Sequence, residues 1–234
     1  MAVSSRYEEL ARSLASVQAR IEKAAALAGR DPREIELIAV TKNFPVRDAD
    51  ILYELGVRSM GENRDSEGVA KAGLLSDRAD LTWHFQGQIQ SRKIPSIASW
   101  AQVVHSLDEI SHANKFAQQP RIPTFFLQVN FEPERSDRGG VAPAELGNFI
   151  EQLPEAVASR LTGLMCVAPI DQEPSKVFSE LADLRNTLSL QHPQFTHLTH
   201  LSMGMSNDFE AAIAHGATQI RVGSSILGSR PPLT

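Results

Sequence analysis

The chain has 234 residues, of which 42% are hydrophobic and 22% are charged, and its formal net charge is −5. This composition is typical of a folded protein with a substantial core. It argues against nucleic acid as a partner, because phosphate backbones attract clustered Lys and Arg. The single cysteine, Cys166, excludes an internal disulfide and is expected to be a buried strand thiol. No stretch is long and apolar enough for a transmembrane helix or a signal peptide, so we expect a cytoplasmic protein without membrane contact.

The first predicted element is an amphipathic helix over about residues 3–29. Leu10, Leu14, Val17 and Ile21 recur at a spacing of three to four residues among charged side chains. This spacing is typical of a helix that buries one face.

Eight apolar runs follow the helix, and we predict that each is a strand. Several are continuous rather than alternating, as expected for parallel strands that are buried on both faces. The predicted strands span residues 35–41, 57–61, 81–86, 101–106, 124–130, 161–168, 200–205 and 219–226. The segments between them can be helical, and strand–helix alternation indicates βαβ units with a parallel sheet.

This order predicts an α/β fold, a (β/α)8 TIM barrel that forms a single domain over residues 1–234, with the barrel at about 35–230. An open doubly wound sheet is the alternative. Because the chain ends at Pro231-Pro232-Leu233-Thr234, we expect no long helix after strand 8. The N-terminal helix would then close the outer ring between strands 8 and 1.

A phosphate site is predicted after strands 7 and 8, where α/β barrels frequently hold such groups. Ser206 follows strand 7 and is the predicted N-cap of a helix through Phe209. After strand 8, Gly223 allows a ligand to approach the backbone, and Ser224 adds an amide and a hydroxyl. We call Ser206, Gly223 and Ser224 the phosphate cup; the alternative is an ordinary N-cap and a turn at the barrel rim.

Lys42 directly follows the first predicted strand, which places its ammonium group at the same mouth of the barrel as the phosphate cup. A solvated loop charge is the alternative interpretation. Desolvation and cationic neighbours lower the pKa of a lysine, and the neutral amine can then form imines with carbonyl compounds.

Several short blocks, in chain order, resemble the pyridoxal phosphate (PLP) homeostasis protein family of the YggS/PROSC type. Together they extend over most of the chain, which makes the set far more specific than any single block. The blocks are Ala39-Val40-Thr41-Lys42, Gly61-Glu62-Asn63, Trp83-His84-Phe85, Val104-His105-Ser106-Leu107-Asp108, Gly163-Leu164-Met165-Cys166, Leu201-Ser202-Met203-Gly204-Met205-Ser206 and Arg221-Val222-Gly223-Ser224-Ser225.

The resemblance implies a barrel like the N-terminal domain of alanine racemase, with PLP in aldimine linkage to Lys42. It also implies a monomer that acts in intracellular PLP homeostasis, with PLP-dependent apoenzymes as possible recipients. The arginine that matches Arg221 faces the pyridine nitrogen in this family. The cofactor-binding residues implied are Lys42, Asn63, Met203, Ser206, Arg221, Gly223 and Ser224. The chain departs from the common family pattern at Arg64, Gln86 and Arg92.

Arg221 also bears on catalysis, because arginine offers only hydrogen-bond donors and would leave the pyridine nitrogen unprotonated, which makes the ring a weak electron sink. The only tyrosines, Tyr7 and Tyr53, lie on predicted helices, so a two-base racemase lacks an evident second base. We therefore expect no robust turnover. A PLP-dependent amino-acid racemase and a Schiff-base aldolase that uses Lys42 without PLP are the alternatives.

The histidines are not assigned to catalysis or to a metal site. His84 and His105 lie on predicted strands and are expected in the barrel core or at its rim. His197 and His200 have a spacing that resembles a metal site, but neither Cys nor a carboxylate completes the set of ligands.

Overall fold

The structure is a computed structural model that describes residues 2–135 and 138–229, with side chains from residue 6 onward. Within these residues, eight parallel strands form a closed barrel in sequence order, and the last strand pairs with the first. The predicted (β/α)8 TIM barrel is therefore confirmed, and the open doubly wound sheet is excluded. The strands are β1 (Glu36–Val40), β2 (Ser59–Glu62), β3 (Thr82–Phe85), β4 (Val103–Leu107), β5 (Thr124–Gln128), β6 (Leu161–Met165), β7 (His200–Ser202) and β8 (Gln219–Val222).

Helices surround the barrel and connect successive strands. Short 3-10 turns precede several elements, and three of them begin at a proline, at Pro32, Pro143 and Pro193. The helices are α1 (Ala2–Leu27), α2 (Val46–Glu54), α3 (Asp65–Leu74), α4 (Ile94–Trp100), α5 (Ile110–Phe116), α6 (Leu146–Glu151), α7 (Glu155–Ala158), α8 (Pro174–Gln191), α9 (Phe209–Ala214) and α10 (Ser224–Leu227). Within the described ranges, none of these helices is both long and apolar enough to cross a lipid bilayer.

The N-terminal helix α1 closes the outer ring, as predicted. It packs against α2, α9 and α10, which flank the seam between β8 and β1. Its predicted apolar face is buried, and Arg6 joins the two sides of the seam by donating to Asp48 of α2 at 2.6 Å and to the Leu227 carbonyl of α10 at 3.1 Å. The predicted barrel limit at residue 230 and the Pro231-Pro232-Leu233-Thr234 terminus lie outside the described residues.

Three strands were predicted three or four residues too long at their carboxyl-terminal ends, and β5, predicted to residue 130, was two residues too long. β6 ends at Met165, β7 at Ser202 and β8 at Val222, and residues 224–227 form α10 instead of extending β8. The error at β8 has a physical reason. Ile226 and Leu227 are buried, and a short apolar run does not distinguish a buried strand from one turn of a buried helix.

The barrel interior contains two neutral histidines, His84 and His105, each at most 1% exposed. The Nδ1 atom of His84 lies 2.9 Å from the Nε2 atom of His105, and the His105 ring stacks on Phe126 with 4.7 Å between ring centroids. Burial lowers the pKa of His84 to about 4 and the pKa of His105 well below its usual value, because desolvation penalises the charged imidazolium. Both rings are therefore uncharged at neutral pH.

These histidines predict an acid-dependent loss of stability. Below about pH 6.5 the unfolded chain binds protons on them, whereas the folded protein excludes a proton from His84 down to about pH 4. The free energy of unfolding should therefore fall on acidification through this range, by at most about 1.4 kcal/mol per pH unit and per histidine. Urea denaturation of the wild type and of His84→Gln at about pH 7.5 and about pH 5 measures the slope, which should be smaller in the variant.

Leu164→Val provides the control, because it removes one methylene from a fully buried strand residue without changing a titratable group. It should lower the free energy of unfolding by the same amount at both pH values. Equal pH slopes in the wild type and in His84→Gln would contradict the assignment of His84 as a neutral core histidine.

Candidate functional site

A cavity of about 690 Å³ lies at the carboxyl-terminal ends of the strands. Its lining comes from the ends of β1, β2, β3, β6, β7 and β8, which is the face where α/β barrels carry their sites. Met203 lies outside the lining and is fully buried. The other six predicted site residues line this cavity together: Lys42, Asn63, Ser206, Arg221, Gly223 and Ser224.

A buried ion pair holds the backbone that leads into Lys42. Glu62 at the end of β2 accepts from Lys71 of α3, with 2.6 Å between Oε1 and Nζ, and the two side chains are 0% and 7% exposed. Thr41 contacts both partners, since its hydroxyl donates to Glu62 at 2.6 Å and its carbonyl accepts from Lys71 at 2.7 Å. Burial raises the pKa of Glu62, and the Lys71 ammonium opposes that rise. The ion pair therefore fixes the residue that precedes Lys42.

The residue after Lys42 is held as well. Asn43 adopts a left-handed backbone conformation with φ of +65°, which turns the chain away from the strand direction. Its N–H donates to the Glu67 carboxylate of α3 at 2.7 Å. Lys42 thus lies between two anchored residues, a preorganised arrangement that limits where its amine can reach.

Neither Lys71 nor Glu67 was identified from the sequence. The two residues stand four apart on α3, and such a pair ordinarily indicates a solvent-exposed ion pair on a helix surface. Lys71 turns inward instead, and it satisfies a strand carbonyl and a strand-end carboxylate. The sequence did contain one signal for this pair. Glu62 directly follows an apolar run that was predicted to be a buried strand, and a carboxylate buried there requires a cationic or donating partner.

Ser206 contacts the loop after β8 and does not cap α9. The predicted N-cap role is wrong because α9 begins at Phe209 with Asp208 as its N-cap, and the Asp208 carboxylate accepts from the Met205 amide at 2.6 Å. The Ser206 hydroxyl instead accepts from the amides of Gly223 and Ser225, each at 3.3 Å. Two backbone donors that follow β8, the Gly223 amide and the Ser225 amide of α10, therefore converge on one oxygen position at the cavity.

Gly223 is required where the phosphate cup meets the first strand. A Cβ atom at this position would lie 3.2 Å from the Val40 carbonyl oxygen, which is tighter than ordinary contact. The missing side chain thus allows the backbone after β8 to lie close to β1.

Arg221 presents a buried positive charge to the cavity. It is 5% exposed, and its guanidinium donates to the Ser202 hydroxyl and to the Cys166 carbonyl, both at 2.7 Å. Burial lowers the pKa of Arg221, although a guanidinium stays charged at physiological pH. The buried thiol that was predicted for Cys166 is present directly after β6, and burial raises its pKa to about 12, so it is not a nucleophile at neutral pH.

Gln86 contributes a buried donor without a partner. Its Nε2 atom has no hydrogen-bond partner within the described part of the chain, and the residue lines the cavity next to Gly61. Buried polar atoms are paired in nearly all proteins. An acceptor on a bound molecule would satisfy this amide.

The tyrosines lie away from the cavity, on the outer helices where they were predicted. Tyr53 of α2 donates to Asp80 at 2.5 Å, and Tyr7 of α1 is 39% exposed. Neither hydroxyl is placed to exchange a proton with a molecule in the cavity.

Known proteins share this sequence and architecture. Residues 13–231 match the family described as alanine racemase, N-terminal domain. The pyridoxal phosphate homeostasis protein of Pseudomonas aeruginosa is 38% identical, over 94% of this chain and 96% of that protein. The corresponding protein of Mycobacterium bovis is 36% identical, over 96% of this chain and 94% of that protein. The chain belongs to the pyridoxal phosphate homeostasis protein family.

A solved structure similar to this chain is that of PipY of Synechococcus elongatus, which was determined with PLP bound. It superposes with a TM-score of 0.75 at 34% identity, and the match covers 89% of this chain and all of that chain. The same protein without PLP superposes with a TM-score of 0.78. The resemblance found in the sequence blocks is thus confirmed.

The three departures from the common pattern of pyridoxal phosphate homeostasis proteins occupy different environments. Gln86 lines the cavity, whereas Arg64 is largely exposed and lies 3.6 Å from Glu67. Arg92 is exposed on the turn before α4. Of the three, only Gln86 is placed to contact a molecule in the cavity.

The ion pair beneath Lys42 predicts a large stability effect. Lys71→Met leaves the Glu62 carboxylate buried without its cation, and we expect the free energy of unfolding to fall by about 3–5 kcal/mol. The double variant Lys71→Met/Glu62→Gln should recover much of this loss, because it removes the uncompensated charge. Urea denaturation at neutral pH measures all three proteins.

Lys115→Met is the matched control, since Lys115 is exposed in the last turn of α5. Its effect should stay within about 0.5 kcal/mol. Similar losses at Lys71 and Lys115 would show that the buried pair does not stabilise this region.

Proposed function

We propose that this protein binds PLP in the cavity, linked through the Lys42 amine, and that it serves intracellular PLP homeostasis. The observation that carries this proposal is the convergence of an amine, a buried guanidinium and two amides from the β8 loop on one cavity. An aldehyde with an anionic phosphate and a basic ring nitrogen is complementary to these three groups. The PLP-bound structure of PipY, 34% identical, supports the same assignment.

The residues present fit this cofactor. The Gly223 and Ser225 amides already hold one oxygen, that of Ser206, at 3.3 Å, and a phosphate oxygen offers the same kind of acceptor with a negative charge. The unpaired Gln86 amide provides a further donor in the cavity. Asn63 directly after β2 and Ser224 of the phosphate cup line the same space. We assign both to cofactor binding, together with the buried Met203.

Lys42 would hold PLP as a Schiff base. Condensation of its amine with the aldehyde forms one C=N bond and releases one water molecule, and exchange with another amine reverses the attachment. The anchored residues on both sides of Lys42 limit its movement. This combination suits a protein that protects a reactive aldehyde and later releases it to PLP-dependent apoenzymes.

We propose that retention and transfer, rather than turnover, are the function. PLP supplies an electron sink for carbanion chemistry that is strongest when its ring nitrogen is protonated. Arg221 offers only donors to that nitrogen, and both tyrosines lie outside the cavity lining. We further propose that the protein acts as a cytoplasmic monomer that consists of one domain.

The lysine linkage predicts a specific spectroscopic and mass signature. Purified wild-type protein incubated with PLP should show a visible absorbance band, and borohydride reduction should add one phosphopyridoxyl group to the peptide that contains Lys42. Lys42→Ala should lack both signals because the amine is missing. Lys23→Ala, which changes an exposed lysine of α1, should retain both.

Two results would contradict this proposal: the absence of a band in wild-type protein, or modification of Lys23→Ala and Lys42→Ala to the same extent. Turnover is tested with the loaded wild type and L-alanine or L-serine. We expect no racemisation above that of free PLP; racemisation that is lost in Lys42→Ala would instead identify an enzyme.

The phosphate cup predicts selectivity for the phosphorylated cofactor. Ser206→Ala removes a hydroxyl that can donate to phosphate, so retention of PLP should weaken by about tenfold. Binding of pyridoxal, which has no phosphate, should change little. Equilibrium dialysis with both compounds measures the ratio, and Ser99→Ala, an exposed serine of α4, is the control. An equal loss for PLP and pyridoxal would place the phosphate elsewhere.

A further inference from the structure

A continuous line of polar side chains runs through the barrel from the cavity towards its opposite mouth. It starts at Arg221, whose Nη1 atom donates to the Ser202 Oγ atom at 2.7 Å. The same oxygen lies 2.9 Å from Nδ1 of His105, and Nε2 of His105 lies 2.9 Å from Nδ1 of His84. All four side chains are buried in the core.

The far end of this line is a carboxylate. Glu36 is the first residue of β1, and its Oε1 atom lies 3.7 Å from Nε2 of His84. The carboxylate is held by the Ser59 hydroxyl and by the Gln219 amide, the latter at 2.5 Å. The buried His84 Nε2 atom has no hydrogen-bond partner among the described residues, and the Glu36 carboxylate is the charged group that it faces. We call Arg221, Ser202, His105, His84 and Glu36 the trans-barrel network.

The two ends of the trans-barrel network determine the direction of its hydrogen bonds. Arg221 can only donate, so the Ser202 oxygen accepts from it, and the Ser202 hydrogen is available for Nδ1 of His105. His105 then carries its proton on Nε2 and donates to His84. His84 in turn carries its proton on Nε2, which faces the Glu36 carboxylate.

The opposite direction is disfavoured at both ends. It would place a nitrogen lone pair of His84 against the Glu36 carboxylate, which is an electrostatic repulsion. It would also make the Ser202 oxygen accept from both Arg221 and His105. The Ser202 hydrogen could then donate to neither of them, inside a core where unpaired polar atoms are costly.

We propose that Ser202, His105, His84 and Glu36 are positioning residues for Arg221. Ser202, His105 and His84 hold its guanidinium in the cavity as a donor through a one-directional chain of hydrogen bonds, and the charge of Glu36 sets the direction of that chain. This inference rests on the proposed function for its consequence at the cofactor. The direction of the network is a property of the protein itself, whether or not PLP is bound.

Arg221 depends on this network because it has few other acceptors. The contacts of its guanidinium within the described chain are the Ser202 hydroxyl and the Cys166 carbonyl. With two donors committed to these oxygens, the remaining N–H groups are held in a fixed orientation at the cavity surface. If Ser202 loses its hydroxyl, one committed donor is released and the guanidinium can rotate away from the pyridine nitrogen.

The direction of the network is tested first, in PLP-free protein. Long-range ¹H–¹⁵N spectra of the histidine side chains should show both His84 and His105 as neutral rings with the proton on Nε2. Glu36→Gln replaces the acceptor-only carboxylate with an amide and should change the tautomer populations of His84. A proton on Nδ1 of either histidine in the wild type would overturn the inference, irrespective of any result with PLP.

The consequence for the cofactor is tested with two variants, Ser202→Ala and Ser202→Thr. Thr162→Val is the control, because the Thr162 hydroxyl donates to the Phe125 carbonyl and does not contact the trans-barrel network. Ser202→Ala should weaken PLP retention by about tenfold. It should also shift the pyridine ¹⁵N signal of labelled PLP, which reports the arginine contact rather than general stability. Ser202→Thr, which keeps the hydroxyl, should restore both values.

The outcomes separate this inference from the proposed function. No PLP binding by the wild type would refute the proposed function, whereas the tautomers would still decide the direction of the network. If wild type binds PLP and Ser202→Ala gives the same ¹⁵N signal as the wild type and Thr162→Val, then Ser202 does not position Arg221.

Discussion

Closure of the barrel through pairing of β8 with β1 is the constraint on which the site depends. The register aligns Ala39 with Val222, so the residues that follow these strands emerge side by side at one mouth. Lys42 and Gly223 are far apart in sequence, yet the closed sheet makes them neighbours. The contact distance between Val40 and the position of a Cβ on Gly223 shows how tight this junction is. Because α1 covers the same seam, the amine and the phosphate cup share one support.

The barrel interior shows how charge is accommodated near such a site. Full charges lie at the strand ends, where Glu62 pairs with Lys71 and where Arg221 has two oxygen acceptors. Deeper in the core the polar groups are neutral imidazoles, because burial makes an imidazolium unfavourable. Buried ion pairs contribute little net stability compared with apolar packing. Their presence beside Lys42 is better explained by positioning, since one ion pair satisfies both a side chain and a carbonyl of Thr41.

Features that depend on local sequence patterns were predicted, whereas features that depend on contacts between distant residues were not. Strand order and the amphipathic α1 follow from local apolar patterns, which is why the barrel, the helix across the seam and the mouth that contains Lys42 were predicted. Strand ends failed where a buried turn of helix, α10, has the same apolar composition as a strand. Ser206 was given a local capping role, but its partners are amides of the next strand's loop. Lys71 was missed because its position on α3 is typical of a surface ion pair, whereas its partners are Glu62 and the Thr41 carbonyl on two strands. The trans-barrel network could not be predicted, because its side chains come from β1, β3, β4, β7 and β8 and meet only after the sheet has closed.

Under the proposed function, retention of a reactive aldehyde sets opposite demands on one site, and the arrangement of residues here suits both. The lysine must form a bond that is strong enough to hold the cofactor and labile enough to exchange, so its surroundings should orient the amine without closing the cavity. Anchoring the residues before and after Lys42 achieves this, because it limits the backbone and leaves the cavity open at the barrel mouth. A similar balance applies to the pyridine ring of the cofactor. Under the proposed function, an arginine held by a serine hydroxyl and a carbonyl would fix the orientation of a bound pyridine and would not protonate its ring nitrogen, which weakens carbanion chemistry. In this proposal, binding and catalysis depend on different groups, and the buried polar contacts of the cavity serve binding.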